Sequence, residues 1–188
     1  MRKALKIVLA VLAVFIIIIV AFGAVFLLNL SAYMAAGTKT LTPTGTSAGN
    51  ALVVFDQGLS GAAARAAERV ATELQEKGHT VTLAGVKTAE AADTAGYSVI
   101  VAGGPIYAGG STSSVKDFLG SLNPNQGTAV GVFGSGSGAT TPDDVSMIRS
   151  AVPALQSGGT LQDAVVVKIG EKEDLDARAS EMVSQLVG

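Results

Sequence analysis

Apolar and polar positions fall into two alternating patterns after residue 50. Short apolar runs rich in β-branched side chains are separated by longer segments in which apolar residues return every three or four positions. The runs read as strands buried on both faces of a parallel sheet, and the spaced segments as helices lying on it. The predicted strands are Ala51–Phe55, His79–Leu83, Val99–Ala102, Thr128–Phe133 and Ala164–Ile169. In the first helix Ala63, Ala66, Ala67, Val70, Ala71 and Leu74 share one face, while Arg65, Glu68, Arg69, Glu73, Glu76 and Lys77 share the other; Gly78 ends it. Thr88–Thr94 predicts a short surface helix. Val115, Phe118, Leu119 and Leu122 mark the inner face of another, preceded by four hydroxyl residues, Ser111 to Ser114, suited to capping. Thr141-Pro142-Asp143-Asp144 has the capping threonine, the proline and the first-turn acids of a helix start. Val145, Ile148 and Val152 follow on its inner face, and Pro153 ends it. The last helix is predicted over Glu171–Val187, with Leu175, Ala179, Met182, Val183 and Leu186 on one side.

This alternation predicts an α/β fold, a doubly wound five-stranded parallel sheet over residues 50–188 with strand order 2-1-3-4-5. What precedes it is different. Residues 1–6 form a short basic leader, and residues 7–30 are 24 positions without a charge. A helix of that length spans roughly 36 Å, more than the ~30 Å of a hydrocarbon core, and predicts a single transmembrane helix, with the bilayer as a partner. Arg2, Lys3 and Lys6 precede it and only Lys39 follows closely, which places the N-terminus in the cytoplasm. Residues 31–49, rich in Thr, Gly, Ser and Ala without periodicity, read as a flexible tether.

Composition narrows the chemistry. The chain has no cysteine, which excludes disulfides, thiol catalysis and cysteine-ligated clusters, and its single histidine excludes a multi-histidine metal site. His79 opens a strand and reads as a solvated position. Four of the 13 basic residues precede residue 50 and all 15 acidic residues follow it, leaving the remainder near −6. An acidic domain disfavours nucleic acid, whose binding depends on Lys and Arg neutralising phosphates. No catalytic triad, carboxylate pair or metal cluster is legible. Asp143 and Asp144 are explained by the helix dipole, and Glu171, Glu173 and Asp174 have the same plain reading.

Three loops are predicted at the carboxyl ends of strands, where open α/β sheets bind ligands. The first holds Gly58, Leu59, Ser60 and Gly61 and leads into Ala62 and Ala63. Its glycines and the free amides of Ala62, Ala63 and Ala64 suit an anion. The second carries Pro105, Ile106, Tyr107, Ala108 and Gly109. The third begins Gly134-Ser135-Gly136.

The segment GGPIYAGGSTSSVKDFL, Gly103 to Leu119, resembles the loop of flavodoxin-like proteins that follows the third strand and packs beside the flavin. The resemblance covers residues 50–188. It implies FMN as cofactor, with the phosphate on the first loop, the ring stacked on Tyr107, and backbone amides of Gly134 to Gly136 at the pyrimidine end. The family's first loop is typically T-x-T-G-x-T; here Ser60-Gly61 matches its internal Thr-Gly, Ala63 replaces the later threonine, and Asp56 adds a negative charge. The second aromatic that many flavodoxins carry on the third loop is absent. Three readings follow: a membrane-anchored FMN protein that transfers electrons to a redox protein partner, a tethered flavin-free binding module, and a membrane-associated flavin-dependent oxidoreductase acting on a quinone-type acceptor.

Overall fold

A computed structural model of the chain describes residues 11–22, 37–107 and 109–188. The chain divides into two units, residues 1–34 and 35–188. In the first, residues 11–22 form a helix, α1, whose large apolar side chains are exposed. Among the described residues no helix is long and apolar enough to cross a membrane, which overturns the expected single-pass membrane localisation and the bilayer as partner. Residues 7–10 and 23–30 of the expected span lie outside the described residues.

In the second unit the apolar runs form strands β2 (Gly49–Phe55), β3 (His79–Gly85), β4 (Val99–Tyr107), β6 (Ala129–Gly136) and β7 (Val165–Gly170). These pair in parallel in the order β3-β2-β4-β6-β7, which is 2-1-3-4-5 among themselves. The sheet is larger than the five strands expected. β1 (Thr38–Leu41) adds an antiparallel edge to β3, and β5 (Gly110–Ser111) pairs back on the end of β4. β1 lies in the stretch read as a tether. Its Thr-Lys-Thr-Leu is too short to show periodicity, and β3 supplies the partner that makes it a strand.

Alternate strand residues enter opposite cores. Ala51, Val53 and Phe55 pack with helices α2 (Ala62–Glu76) and α6 (Leu175–Val187). Leu52 and Val54 pack with α3 (Ala89–Ala92), α4 (Ser113–Ser121) and α5 (Pro142–Ser150), and with the 3-10 turn Pro153–Leu155. The alanine face of α2 is fully used: Ala63, Ala66, Ala67 and Ala71 are buried with Val70 and Leu74. Small side chains let this helix lie close to the sheet. The last helix begins at Leu175 rather than Glu171, because the Asp174 carboxylate caps it by accepting from the amides of Asp176 and Ala177.

Candidate functional site

Parallel pairing brings the carboxyl ends of β2, β4, β6 and β7 to one edge, so the loops that follow them are neighbours. The first loop, Asp56–Gly61, is anchored by a buried acid. Asp56 is 5% exposed; its Oδ1 accepts the Gly58 amide at 3.1 Å and its Oδ2 accepts the Ser114 hydroxyl at the start of α4. The loop then lies against β4. A Cβ on Gly58 would meet Pro105 at 2.7 Å and the Tyr107 hydroxyl at 3.1 Å, and its φ of 66° is left-handed, so glycine is required twice over. The Leu59 amide donates to the Tyr107 hydroxyl at 3.0 Å. Gly61, with φ 69°, turns the chain into α2 with no side-chain cap.

That helix start is open. Ser60 Oγ accepts the Ala62 amide at 3.3 Å, whereas the amides of Ala63 and Ala64 have no acceptor among the described residues. The first turn holds no acid, so the positive end of the helix dipole is uncompensated on α2 itself. Two charged side chains from outside the expected set approach it: Ser60 Oγ donates to Glu171 Oε1 at 3.0 Å, and Arg65 Nη1 donates to the Ser60 carbonyl at 3.4 Å.

Tyr107 sits at the end of β4, not in a loop, and is 47% exposed. Pro105 is buried and Ile106 half-buried in the same strand, while Ala108 lies outside the described residues. A Cβ on Gly109, whose φ is 82°, would meet Met147 Sδ of α5 at 2.7 Å.

Gly134, Ser135 and Gly136 are corrected from loop to strand. They pair with β7 through Lys168, Ile169 and Gly170, and Gly134 and Ser135 pair with Gly104 and Pro105 of β4. Gly134 faces Ile106 and Ile148, where a Cβ would lie 2.5 Å from the first and 2.9 Å from the second. The third loop is therefore residues 137–141, and polar side chains hold it in place. The buried Lys168 ammonium donates to the Ala139 carbonyl at 3.2 Å and to Asp144 at 3.1 Å. Asp144 also closes the capping box with Thr141. Burial works against its ionisation, but the bonds from Thr141 and Lys168 outweigh this and hold its carboxyl below the ordinary range. Glu173 repeats the pattern: burial opposes the charge, yet bonds from the Thr140 hydroxyl and amide and the Gly170 amide, with Arg178 nearby, lower its pKa.

The segment after β7 is thus a fourth loop of the site, which the chain's pattern had assigned to a helix. Glu171 reaches the first loop and Glu173 the third. The larger concavities lie elsewhere: one of about 620 Å³ beside Arg149 and one of about 540 Å³ beside Phe118 contain neither Leu59 nor Tyr107. The Arg149 guanidinium is already bonded to the carbonyls of Leu155, Gln162 and Ala164. No group of acids and histidine able to hold a metal occurs among the described residues.

No family model matches the chain, and no curated protein matches it. Solved structures do. Oxidised flavodoxin 2 of Bacillus cereus aligns at 21% identity over 73% of this chain and 97% of its own, with a TM-score of 0.53. A flavodoxin of Streptococcus pneumonia aligns at 22% identity over 73% and 96%, with a TM-score of 0.52. Rubredoxin oxygen:oxidoreductase of Desulfovibrio gigas aligns at 17% identity over 77% of this chain and 36% of that protein, also with a TM-score of 0.52. These likenesses establish a flavodoxin-like α/β fold.

Proposed function

We propose that the flavodoxin-like domain binds FMN at the carboxyl edge of its sheet and exchanges electrons with a protein partner. One observation carries the reading. Among the described residues of 37–188, the exposed large hydrophobic side chains are Leu59, 68% exposed, and Tyr107, and they stand on adjoining segments joined by a hydrogen bond. An exposed apolar pair at a ligand-binding edge is the surface that a planar apolar ring covers. The open amides of Ala63 and Ala64 lie two and three residues beyond Gly61, at a helix N-terminus that suits the phosphate. The residues present therefore fit the group. Gly58, Leu59, Ser60, Gly61, Ala62 and Ala63 would hold the phosphate end, and Tyr107 one face of the ring.

FMN when bound supplies the redox chemistry; the chain's part is to hold it, exclude water from one ring face and present the other edge to a partner. The acidic surplus after residue 50 favours a partner with a basic face. The resemblance to two flavodoxins and to an oxidoreductase named for rubredoxin supports the electron-transfer part of the reading.

A flavin-free interaction module is the second reading, and it has its own observation: Asp56 and Glu171 place two carboxylates at the first loop. The visible spectrum separates the two. Purified full-length chain is mixed with FMN and desalted. Oxidised-flavin bands that stay with the protein support the proposal, with Tyr107→Ser weakening retention about tenfold through loss of stacking. A colourless protein after desalting leaves the interaction module.

A further inference from the structure

We propose that Glu171 and Arg65 set the selectivity of the first loop for the terminal group of its ligand. Glu171 is a built-in anion that competes with a phosphate, and Arg65 is the cation that receives the phosphate when Glu171 moves aside. The inference rests on the flavin reading above and adds to it two residues that the loop pattern does not contain.

Ser60 carries the one hydroxyl of Asp56–Gly61. That hydroxyl is given to Glu171 Oε1 at 3.0 Å, beside the helix start where the Ala63 and Ala64 amides lack acceptors among the described residues. A hydroxyl donating to an anionic oxygen there is the contact a phosphate oxygen would make, so the loop already holds an anion supplied by its own chain. The Glu171 amide donates to the Gly136 carbonyl at 2.9 Å, which fixes the backbone while the exposed side chain stays free to turn away.

Arg65 stands one turn into α2 and folds back. Its Nη1 bonds the Ser60 carbonyl, and a Cβ on Gly61 would lie only 3.6 Å from the same nitrogen. The guanidinium therefore rests on the loop backbone, and it makes no ion pair among the described residues. Arg65 and Glu171 line one small cavity of about 40 Å³, together with Ala62 and Gly170. A phosphate dianion entering this place is repelled by Glu171 and attracted by Arg65. The terminal hydroxyl of riboflavin meets neither effect, because a neutral hydroxyl simply donates to the carboxylate in place of Ser60.

The two ligands give the test. Full-length wild type, Glu171→Gln, Arg65→Ala and Arg65→Lys are titrated with FMN and with riboflavin, following quenching of flavin fluorescence. Thermal unfolding confirms that each variant is folded. Glu171→Gln is expected to tighten FMN about tenfold and to change riboflavin by less than about twofold. Arg65→Ala is expected to weaken FMN about tenfold with riboflavin again steady, and Arg65→Lys to restore most of the loss. FMN and riboflavin shifting in parallel, or an FMN-to-riboflavin ratio unchanged in both variants, overturns the inference while leaving flavin binding intact. FMN binding that appears only in Glu171→Gln supports it. No binding of either flavin by any of the four proteins overturns the flavin reading and this inference together.

Discussion

His79 shows how far one residue's surroundings can depart from its place in the pattern. It opens β3, where a solvated side chain is expected, yet it is only 7% exposed and its Nδ1 has no hydrogen-bond partner among the described residues. Burial disfavours the imidazolium and holds the pKa below the ordinary 6.5. Between the two values the unfolded chain binds more protons than the folded one, so stability rises with pH there. The contribution is complete above about pH 6.5 and is lost as pH falls through the folded-state pKa. Urea midpoints measured from pH 7.5 down to 5 are expected to fall for the native chain and to stay flatter for His79→Leu. Parallel slopes would place the imidazole in water. At the same scale Tyr107 was legible, because an aromatic between glycines after a buried strand is a local signal. Arg65 and Glu171 were not. The Ser60–Glu171 bond joins positions 111 apart, and only the parallel sheet brings them together.

The elements were legible where a pattern is long and misread where punctuation has a tertiary cause. The five parallel strands, the alanine face of α2 and the capped start of α5 follow from spacing alone. Gly103-Gly104-Pro105 reads as the end of a strand, since glycine and proline break one. In the fold β4 runs on to Tyr107, with Gly103 opposite Phe133 and Gly104 opposite Gly134. Gly103 is demanded by packing: a Cβ would lie 2.3 Å from the ring of Phe133, itself 1% exposed in the core. Gly134 in turn makes room for Ile106. The strand therefore carries Tyr107 out to the edge on a rigid element instead of a loop, which sets where the ring stands. Gly103→Ala is expected to destabilise the domain by about 1–3 kcal/mol through overpacking, read from the denaturation midpoint. An unchanged midpoint would show that the Phe133 ring has room to move.

At the scale of the whole molecule, the question is which part of the chain the domain needs. Both hydrophobic clusters draw their buried residues from 51 onward, yet the fold does not begin there. Residues 38–41 pair with Val81 to Ala84 of β3, and Leu41 packs on the cluster beneath α2. The same arm is also tied down beyond β1: Gln75 Nε2 donates to the Thr42 carbonyl at 2.7 Å, and the Ala48 amide to the Gly78 carbonyl at 2.7 Å. Without β1 the amides and carbonyls of β3 would form an open parallel-sheet edge, a surface prone to pairing with other chains. Two truncations separate the parts. A chain starting at residue 37 keeps β1 to β7 and is expected to unfold with the midpoint of the full chain, because residues 35–188 form a unit of their own. A chain starting at residue 49 loses β1 and both ties. With each lost hydrogen bond worth about 1 kcal/mol, it is expected to be less stable by about 2 kcal/mol or more, and to associate as its concentration rises. Equal midpoints for the two truncations would make β1 an appendage to the sheet. A low midpoint for both would tie the stability of the domain to the residues before 37.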